Sequence, residues 1–149
     1  MSITKLNNLS VSALTALPSG LGGKVLQVIT ATDSTQRNTT SLTFVTASNT
    51  LSVSITPASA SNKIFITTSV PVYGRGHFTI YRDSTNLGNT NGFAINDDEQ
   101  PNQIEMSVLD SPSTTSAITY QFYFKKNNSE TQIITSSLKA TITCFEIAG

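Results

Sequence analysis

Two stretches decide the fold class: Ile64-Phe65-Ile66-Thr67-Thr68-Ser69-Val70 and Tyr120-Gln121-Phe122-Tyr123-Phe124-Lys125. In the first, Ile64, Ile66, Thr68 and Val70 fall on one side of an extended chain and Phe65, Thr67 and Ser69 on the other. In the second, Tyr120, Phe122 and Phe124 oppose Gln121, Tyr123 and Lys125. A period of two is that of a β-strand with one face turned to a core.

The same period recurs outward from these runs. Leu51, Val53 and Ile55 alternate with Ser52, Ser54 and Thr56, and Phe78 and Ile80 with His77, Thr79 and Tyr81. Ile104, Met106 and Val108 alternate with Glu105 and Ser107, and Ala140, Ile142 and Cys144 with Thr141, Thr143 and Phe145. Further strands fit Val25–Thr32, Ser41–Thr46 and Thr131–Thr135. Turn signals separate the runs: Pro57-Ala58-Ser59-Ala60-Ser61-Asn62, Arg82-Asp83-Ser84-Thr85-Asn86, Ser111-Pro112-Ser113 and Lys126-Asn127-Asn128-Ser129. Eight to ten short strands at regular spacing predict an all-β, jelly-roll-like antiparallel β-sandwich over residues 23–149.

Composition agrees. Serine, threonine and asparagine are abundant, suiting pleated strands and turns. At 149 residues the chain can bury a core without a metal or disulfide staple. Its formal net charge is zero and 12% of residues are charged, so it lacks the basic footprint of a nucleic-acid binder. A single cysteine, Cys144, excludes an intramolecular disulfide. The start, Met1-Ser2-Ile3-Thr4-Lys5-Leu6, lacks the apolar region of a secretion signal, and no stretch is long and apolar enough for a membrane span.

Residues 1–22 read differently. Leu6, Leu9, Leu14, Leu17 and Leu21 recur among Ser, Asn and Thr with Lys5 as the one charge, and the segment ends in Pro18-Ser19-Gly20-Leu21-Gly22-Gly23. The expectation is a short extended anchoring arm, the five leucines being its contact residues, with a disordered tail as the alternative.

Several strands carry apolar residues on both sides. Val25, Leu26, Val28 and Ile29 are contiguous, as are Ile133 and Ile134. Val25, Ile29, Phe65, Tyr123, Phe145 and Ile147 fall opposite the faces assigned to the core. Phe65, Tyr123, Phe145 and Ile147 are therefore candidate subunit-interface residues, the alternative being strands sealed by a loop of the same chain.

Catalytic readings find little support. His77, the one histidine, falls on the polar side of its strand, and Cys144 reads as a small buried hydrophobe. No nucleophile motif accompanies either. Asp97-Asp98-Glu99, with Asn96, offers oxygens to Ca²⁺ but lacks the ligand spacing of a calcium loop, and a solvated loop is the better reading. Gly74-Arg75-Gly76 precedes no helix and so is no phosphate loop. Tyr73, Tyr81, Phe93, Tyr120 and Tyr123 supply rings for a sugar platform, but there is no Trp, so packing is the favoured use. The acceptors Asn8, Asn38 and Asn127 carry weight only on a secretory route. The residues suggest no catalytic group, cofactor or metal.

The order Gly23-Lys24-Val25-Leu26-Gln27-Val28, Leu51-Ser52-Val53-Ser54-Ile55-Thr56-Pro57, Ala58-Ser59-Ala60-Ser61-Asn62-Lys63-Ile64, Tyr81-Arg82-Asp83-Ser84, Leu109-Asp110-Ser111-Pro112 and Glu146-Ile147-Ala148-Gly149 resembles a β module of tail-fibre and other virion structural proteins of marine and cyanobacterial phages. The resemblance covers about residues 23 to 149. It implies a virion location after synthesis in the host cytoplasm, a homotrimer, and contacts with other virion proteins, and it carries over no catalytic residue. In a long fibre the module sits at the end of a shaft, whereas here it follows a short arm. This departure favours a capsid knob, a decoration protein or a short fibre attached by the arm. A lectin-like reader of host surface polysaccharide is the second reading, and a glycan-cleaving enzyme the weakest.

Overall fold

The computed structural model describes residues 24–128, 130–134 and 138–149; the expected arm lies outside them. The described residues form eleven strands: β1 (Val25–Asp33), β2 (Arg37–Thr39), β3 (Ser52–Ile55), β4 (Lys63–Tyr73), β5 (Gly76–Arg82), β6 (Thr85–Asn86), β7 (Ala94–Asn96), β8 (Asn102–Asp110), β9 (Ile118–Lys126), β10 (Thr131–Ile133) and β11 (Ala140–Ile147). Every pairing is antiparallel.

One sheet runs β1-β11-β4-β8, with β10 and β2 continuing it where β4 outruns β11. The other runs β3-β9-β5-β7, with β6 also on β5. In chain order, the main strands β1, β3, β4, β5, β7, β8, β9 and β11 change sheet at every step except β5 to β7. That alternation is jelly-roll topology, a double sheet of two Greek keys. The fold is all-β, as the alternation predicts.

The two inner faces contribute different shapes. The first sheet supplies aliphatic side chains, among them Ile64, Ile66, Val70, Ile104 and Ile142, all buried. The second supplies the rings: Phe78, Tyr120, Phe122 and Phe124 are each 0% exposed. Phe78 and Phe122 lie 6.0 Å apart between centroids, Phe122 and Phe124 6.4 Å. Tilted rings at these separations gain beyond their buried area.

Three expectations change. The first concerns β1, where Ile29 packs against the core and Val28 points out. The side-chain amide of Gln27 binds the buried Glu146 carboxylate, which turns Gln27 inward and, with a period of two, Ile29 and Ala31 after it. A bulge between Val25 and Gln27 leaves Val25 and Leu26 both exposed.

The second concerns Ser41–Thr46, which forms no strand. Ser41 Oγ donates to the Thr43 carbonyl and accepts from the Thr43 amide, so local bonds replace a ladder. Ala47 and Ser48 then take left-handed backbone, φ 47° and 60°. Val45 exchanges a pair of backbone bonds with Phe124, and the Lys126 amide donates to the Ser41 carbonyl.

The third concerns β10, which ends at Ile133 rather than Thr135. Ile134 turns left-handed at φ 58°, donates its amide to the Pro71 carbonyl, and is buried together with Ile133. For that apolar pair, the cover comes from the same chain.

Gly74-Arg75-Gly76 marks the crossing from the first sheet to the second. Gly74 has φ +83°, and a Cβ there would stand 2.3 Å from the Glu130 carbonyl oxygen.

Thr68 sits on the core face between Ile66 and Val70, 4% exposed. Among the described residues its hydroxyl has no hydrogen-bond partner. An unpaired buried hydroxyl carries a desolvation cost that an isosteric methyl does not. Thr68→Val is expected to stabilise the fold by about 1 kcal/mol, read as a higher urea midpoint at unchanged slope; a lower midpoint would show that the hydroxyl is satisfied.

Candidate interaction surface

The register of the first sheet lines up side chains across its outer face. Val28 pairs with Phe145, Phe145 with Phe65, and Phe65 with Leu109, so one apolar row crosses four strands. Val28 is 53% exposed and Leu109 51%. Phe65 and Phe145 are half-buried, with ring centroids 6.1 Å apart. Val25, paired with Ile147, and Leu26 extend the row at the β1 end.

The next two rows are polar. Thr30, Thr143, Thr67 and Ser107 form one; Thr32, Thr141, Ser69 and Glu105 form the other. The Thr30 and Thr143 hydroxyls lie 2.9 Å apart. An open groove of about 330 Å³ runs over Thr67, Ser69, Glu105, Ser107 and Thr141.

Of the four candidate interface residues, Phe65, Phe145 and Ile147 share this face, and Tyr123 does not. Tyr123 stands on the outer face of the second sheet, stacked on Tyr81 at 4.1 Å. Phe44 meets Tyr81 edge-on at 6.4 Å, and Lys125 Nζ lies 4.7 Å from the Phe44 centroid. The row is completed by Val28 and by Leu109, which sequence reasoning missed. The signal was the doublet Val108-Leu109, in which one residue of a strand must face out. Leu6, Leu9, Leu14, Leu17 and Leu21 lie outside the described residues.

Two polar clusters hold the sandwich behind this face. In the first, Glu146 is 0% exposed on the core side of β11, continuing the series Ala140, Ile142, Cys144. Gln27 Nε2 donates to its Oε2 at 2.6 Å, and the Ala58 amide and Asn62 Nδ2 donate to its Oε1 at 2.7 and 2.6 Å. Gln27 also donates to the Thr56 carbonyl, and the Gly149 amide donates to Asn62 Oδ1. Burial disfavours the Glu146 charge, but the bonds from Asn62, Gln27 and Ala58 outweigh it and hold the carboxyl below its ordinary value.

In the second cluster, Arg82 Nη1 donates to both oxygens of Asp110 at 2.9 and 2.8 Å, and the Tyr120 hydroxyl donates to Asp110 Oδ2 at 2.6 Å. Asp110 belongs to the first sheet, Arg82 and Tyr120 to the second, so the cluster ties the two together. Burial, then the bond to Asp110, raise the Tyr120 phenol above its ordinary range. The motifs that carry the family resemblance supply most of both clusters: Gln27, Thr56, Ala58, Asn62 and Glu146 in one, Arg82 and Asp110 in the other.

The remaining candidates are apart from one another. Cys144 is fully buried, and burial pushes its thiol up to about 12. His77 is half-buried on the outer side of β5, opposite Lys125. Asp97, Asp98 and Glu99 are exposed. Beneath them Asn96, 2% exposed, donates its amide to the carbonyls of Gly74 and Asp98, each at 3.0 Å. Among the described residues, no group of three or more His, Cys, Asp or Glu could hold a metal ion.

No protein-family model matches the chain, and no curated protein matches it. Among solved structures it is similar to a mutant VP2 protein of infectious bursal disease virus in derived T=1 particles, with a TM-score of 0.40 and 12% identity. The match covers 83% of this chain and 37% of that one.

Glu146 and Asp33 generate a pH dependence. At Asp33, desolvation raises the carboxyl, but the Thr50 and Thr35 amides and Arg37 bring it below its ordinary value. For both groups the folded state holds the proton less tightly than the unfolded one. Their stabilisation is therefore complete above the ordinary values of 4.5 and 3.8 and is lost as pH falls through the lower folded-state values. The thermal midpoint should be level near neutrality and fall below about pH 4.5. Glu146→Leu would orphan the buried Asn62 amide and take an acceptor from Gln27 and from the Ala58 amide, at a cost of about 2 kcal/mol in urea unfolding. A wild-type midpoint for that variant would show that the carboxylate does not organise the site.

Proposed function

We propose that the chain is a non-enzymatic structural protein of a bacteriophage virion surface, of the capsid knob, decoration or short tail-fibre type, attached through residues 1–22. The observation that carries this reading is where the resemblance motifs lie. Their polar residues bind loops and sheets to one another, so the motif set describes a scaffold rather than a reaction centre. The leucine-rich arm supplies an attachment segment, and the apolar row supplies a surface for protein contact. Partners are other virion proteins and further copies of the chain, as a homotrimer.

A lectin-like fibre tip is the second reading. The ring group nearest to a sugar platform is Tyr81, Tyr123 and Phe44, and these rings pack on one another. That leaves the structural role better supported.

The test is incorporation. Phage particles carrying the wild-type chain should show labelled protein at discrete surface positions. A chain with Leu6, Leu9, Leu14, Leu17 and Leu21 changed to Ser should keep its β-rich circular dichroism yet be lost from particles. Normal loading of that variant would exclude the arm as anchor, and absence of the wild-type chain from purified particles would overturn the virion role. Light scattering should give three chain masses, and a monomer or dimer would remove the trimer.

A further inference from the structure

We propose that Asn91 is a self-modifying position, whose side-chain amide converts to aspartate and isoaspartate through a cyclic imide formed with the Gly92 nitrogen. The pair sits in the connection between β6 and β7, Leu87-Gly88-Asn89-Thr90-Asn91-Gly92-Phe93. This connection is pinned on β5 at both ends. The Leu87 amide donates to the Ile80 carbonyl at 3.0 Å, and the Phe93 amide to the Phe78 carbonyl at 2.9 Å. Between the pins lies a turn in which the Gly92 amide donates to the Asn89 carbonyl at 2.9 Å.

The fold ties down the other asparagines of this connection and leaves Asn91 out. Asn86 Oδ1 accepts from the Thr79 hydroxyl and the Gly88 amide, and Asn86 Nδ2 donates to the Asn89 carbonyl. Asn89 Oδ1 accepts from the Asn91 backbone amide at 2.9 Å. Asn91 is exposed, and among the described residues its side chain has no hydrogen-bond partner. The residue after it must be glycine. Gly92 has φ +82°, and a Cβ there would stand 2.3 Å from the Phe78 carbonyl oxygen. That demand comes from the close approach of the turn to β5. Its by-product is a nitrogen at residue 92 unshielded by any side chain, next to a free amide. Asn91-Gly92 is the one Asn-Gly pair in the sequence.

The conversion needs water alone. The Gly92 nitrogen loses its proton to solvent and attacks Asn91 Cγ, closing a five-membered ring. The Cγ–Nδ2 bond breaks, and the leaving nitrogen takes up a proton and departs as ammonia. Water then opens the imide at either carbonyl. Breaking the new bond to Cγ gives aspartate, and breaking the original peptide bond gives isoaspartate. Either product adds a negative charge to a chain whose formal net charge is zero. The carboxylate forms one residue from the carbonyl that Lys125 Nζ binds at 3.3 Å. Isoaspartate also adds a carbon to the main chain, which lengthens the turn closed by the Gly92–Asn89 bond. The nitrogen is free to attack only while that bond is open, so the folded chain converts more slowly than the unfolded one.

The site stands apart from the virion role, and its test does not touch that role. Purified full-length chain is held at physiological temperature in mildly alkaline buffer, digested, and followed by mass spectrometry, with isoaspartate detected by enzymatic carboxyl methylation. The mass gain of an amide-to-acid exchange is expected at Asn91 before any other asparagine. Asn91→Gln, whose longer side chain closes a less favourable six-membered ring, should keep the β-rich circular dichroism and lose the isoaspartate signal. A folded chain with no gain at Asn91, beside a urea-unfolded chain that shows one, would overturn the proposal, because the turn then protects the residue. An earlier gain at another asparagine, or an isoaspartate signal that survives Asn91→Gln, would also overturn it.

Discussion

The structure depends on a carboxylate placed where an apolar side chain would be expected. Glu146 continues the inward series of β11, so its position in the core is set by the period of the strand rather than by its own chemistry. A buried charge is tolerable only if donors surround it. Here they come from two separate parts of the chain: Gln27 on β1, and the Ala58 amide and Asn62 in the connection before β4. Satisfying this one group fixes the inward face of β1, the path of the β3–β4 connection and the end of β11. Each would otherwise be free to slip, because a sheet with hydroxyls along one outer face has few side chains that distinguish one register from the next.

Asp110 plays the corresponding part between the sheets. It receives Arg82 and Tyr120 from the second sheet at the ends of β5 and near the start of β9. The aliphatic and aromatic inner faces supply most of the burial, but apolar contact is non-directional and would accept several alignments of the two sheets. A charge-assisted bond from one guanidinium nitrogen to a carboxylate, joined by the Tyr120 hydroxyl, is directional and selects one of them.

These two clusters also explain what could be read in advance. Strands such as β4 and β9 were legible because their alternation is strict and their inward residues, Thr68 apart, are Ile, Val, Phe and Tyr. The core was legible for the same reason. The register of β1 was not, since Val25, Leu26, Val28 and Ile29 fit either face, and the choice is made by Gln27 reaching Glu146 more than a hundred residues away. The segment Ser41–Thr46 had strand-like composition, but its hydroxyls bind their own backbone. The outer face was half legible: Phe65, Phe145 and Ile147 follow from parity, whereas their alignment with Val28 and Leu109 is a product of pairing between strands distant in sequence. Tyr123 has the same parity as its neighbours on β9 that face outward, but parity does not say that Tyr81 and Phe44 stand beside it.

The bulge in β1 has a consequence for solubility during folding. Among the described residues β1 closes its sheet, so one side of the strand presents amide and carbonyl groups without a described neighbouring strand. A long, straight, apolar border of that kind is a template for stacking of one molecule on another. The bulge at Val25–Gln27 twists one end of the border out of line, and at the other end Asp33 turns its carboxylate inward, where an incoming strand would have to strip its amide partners. What remains between them is a short stretch of border, which disfavours stacking of one net-neutral, threonine-rich chain on another through its sheets.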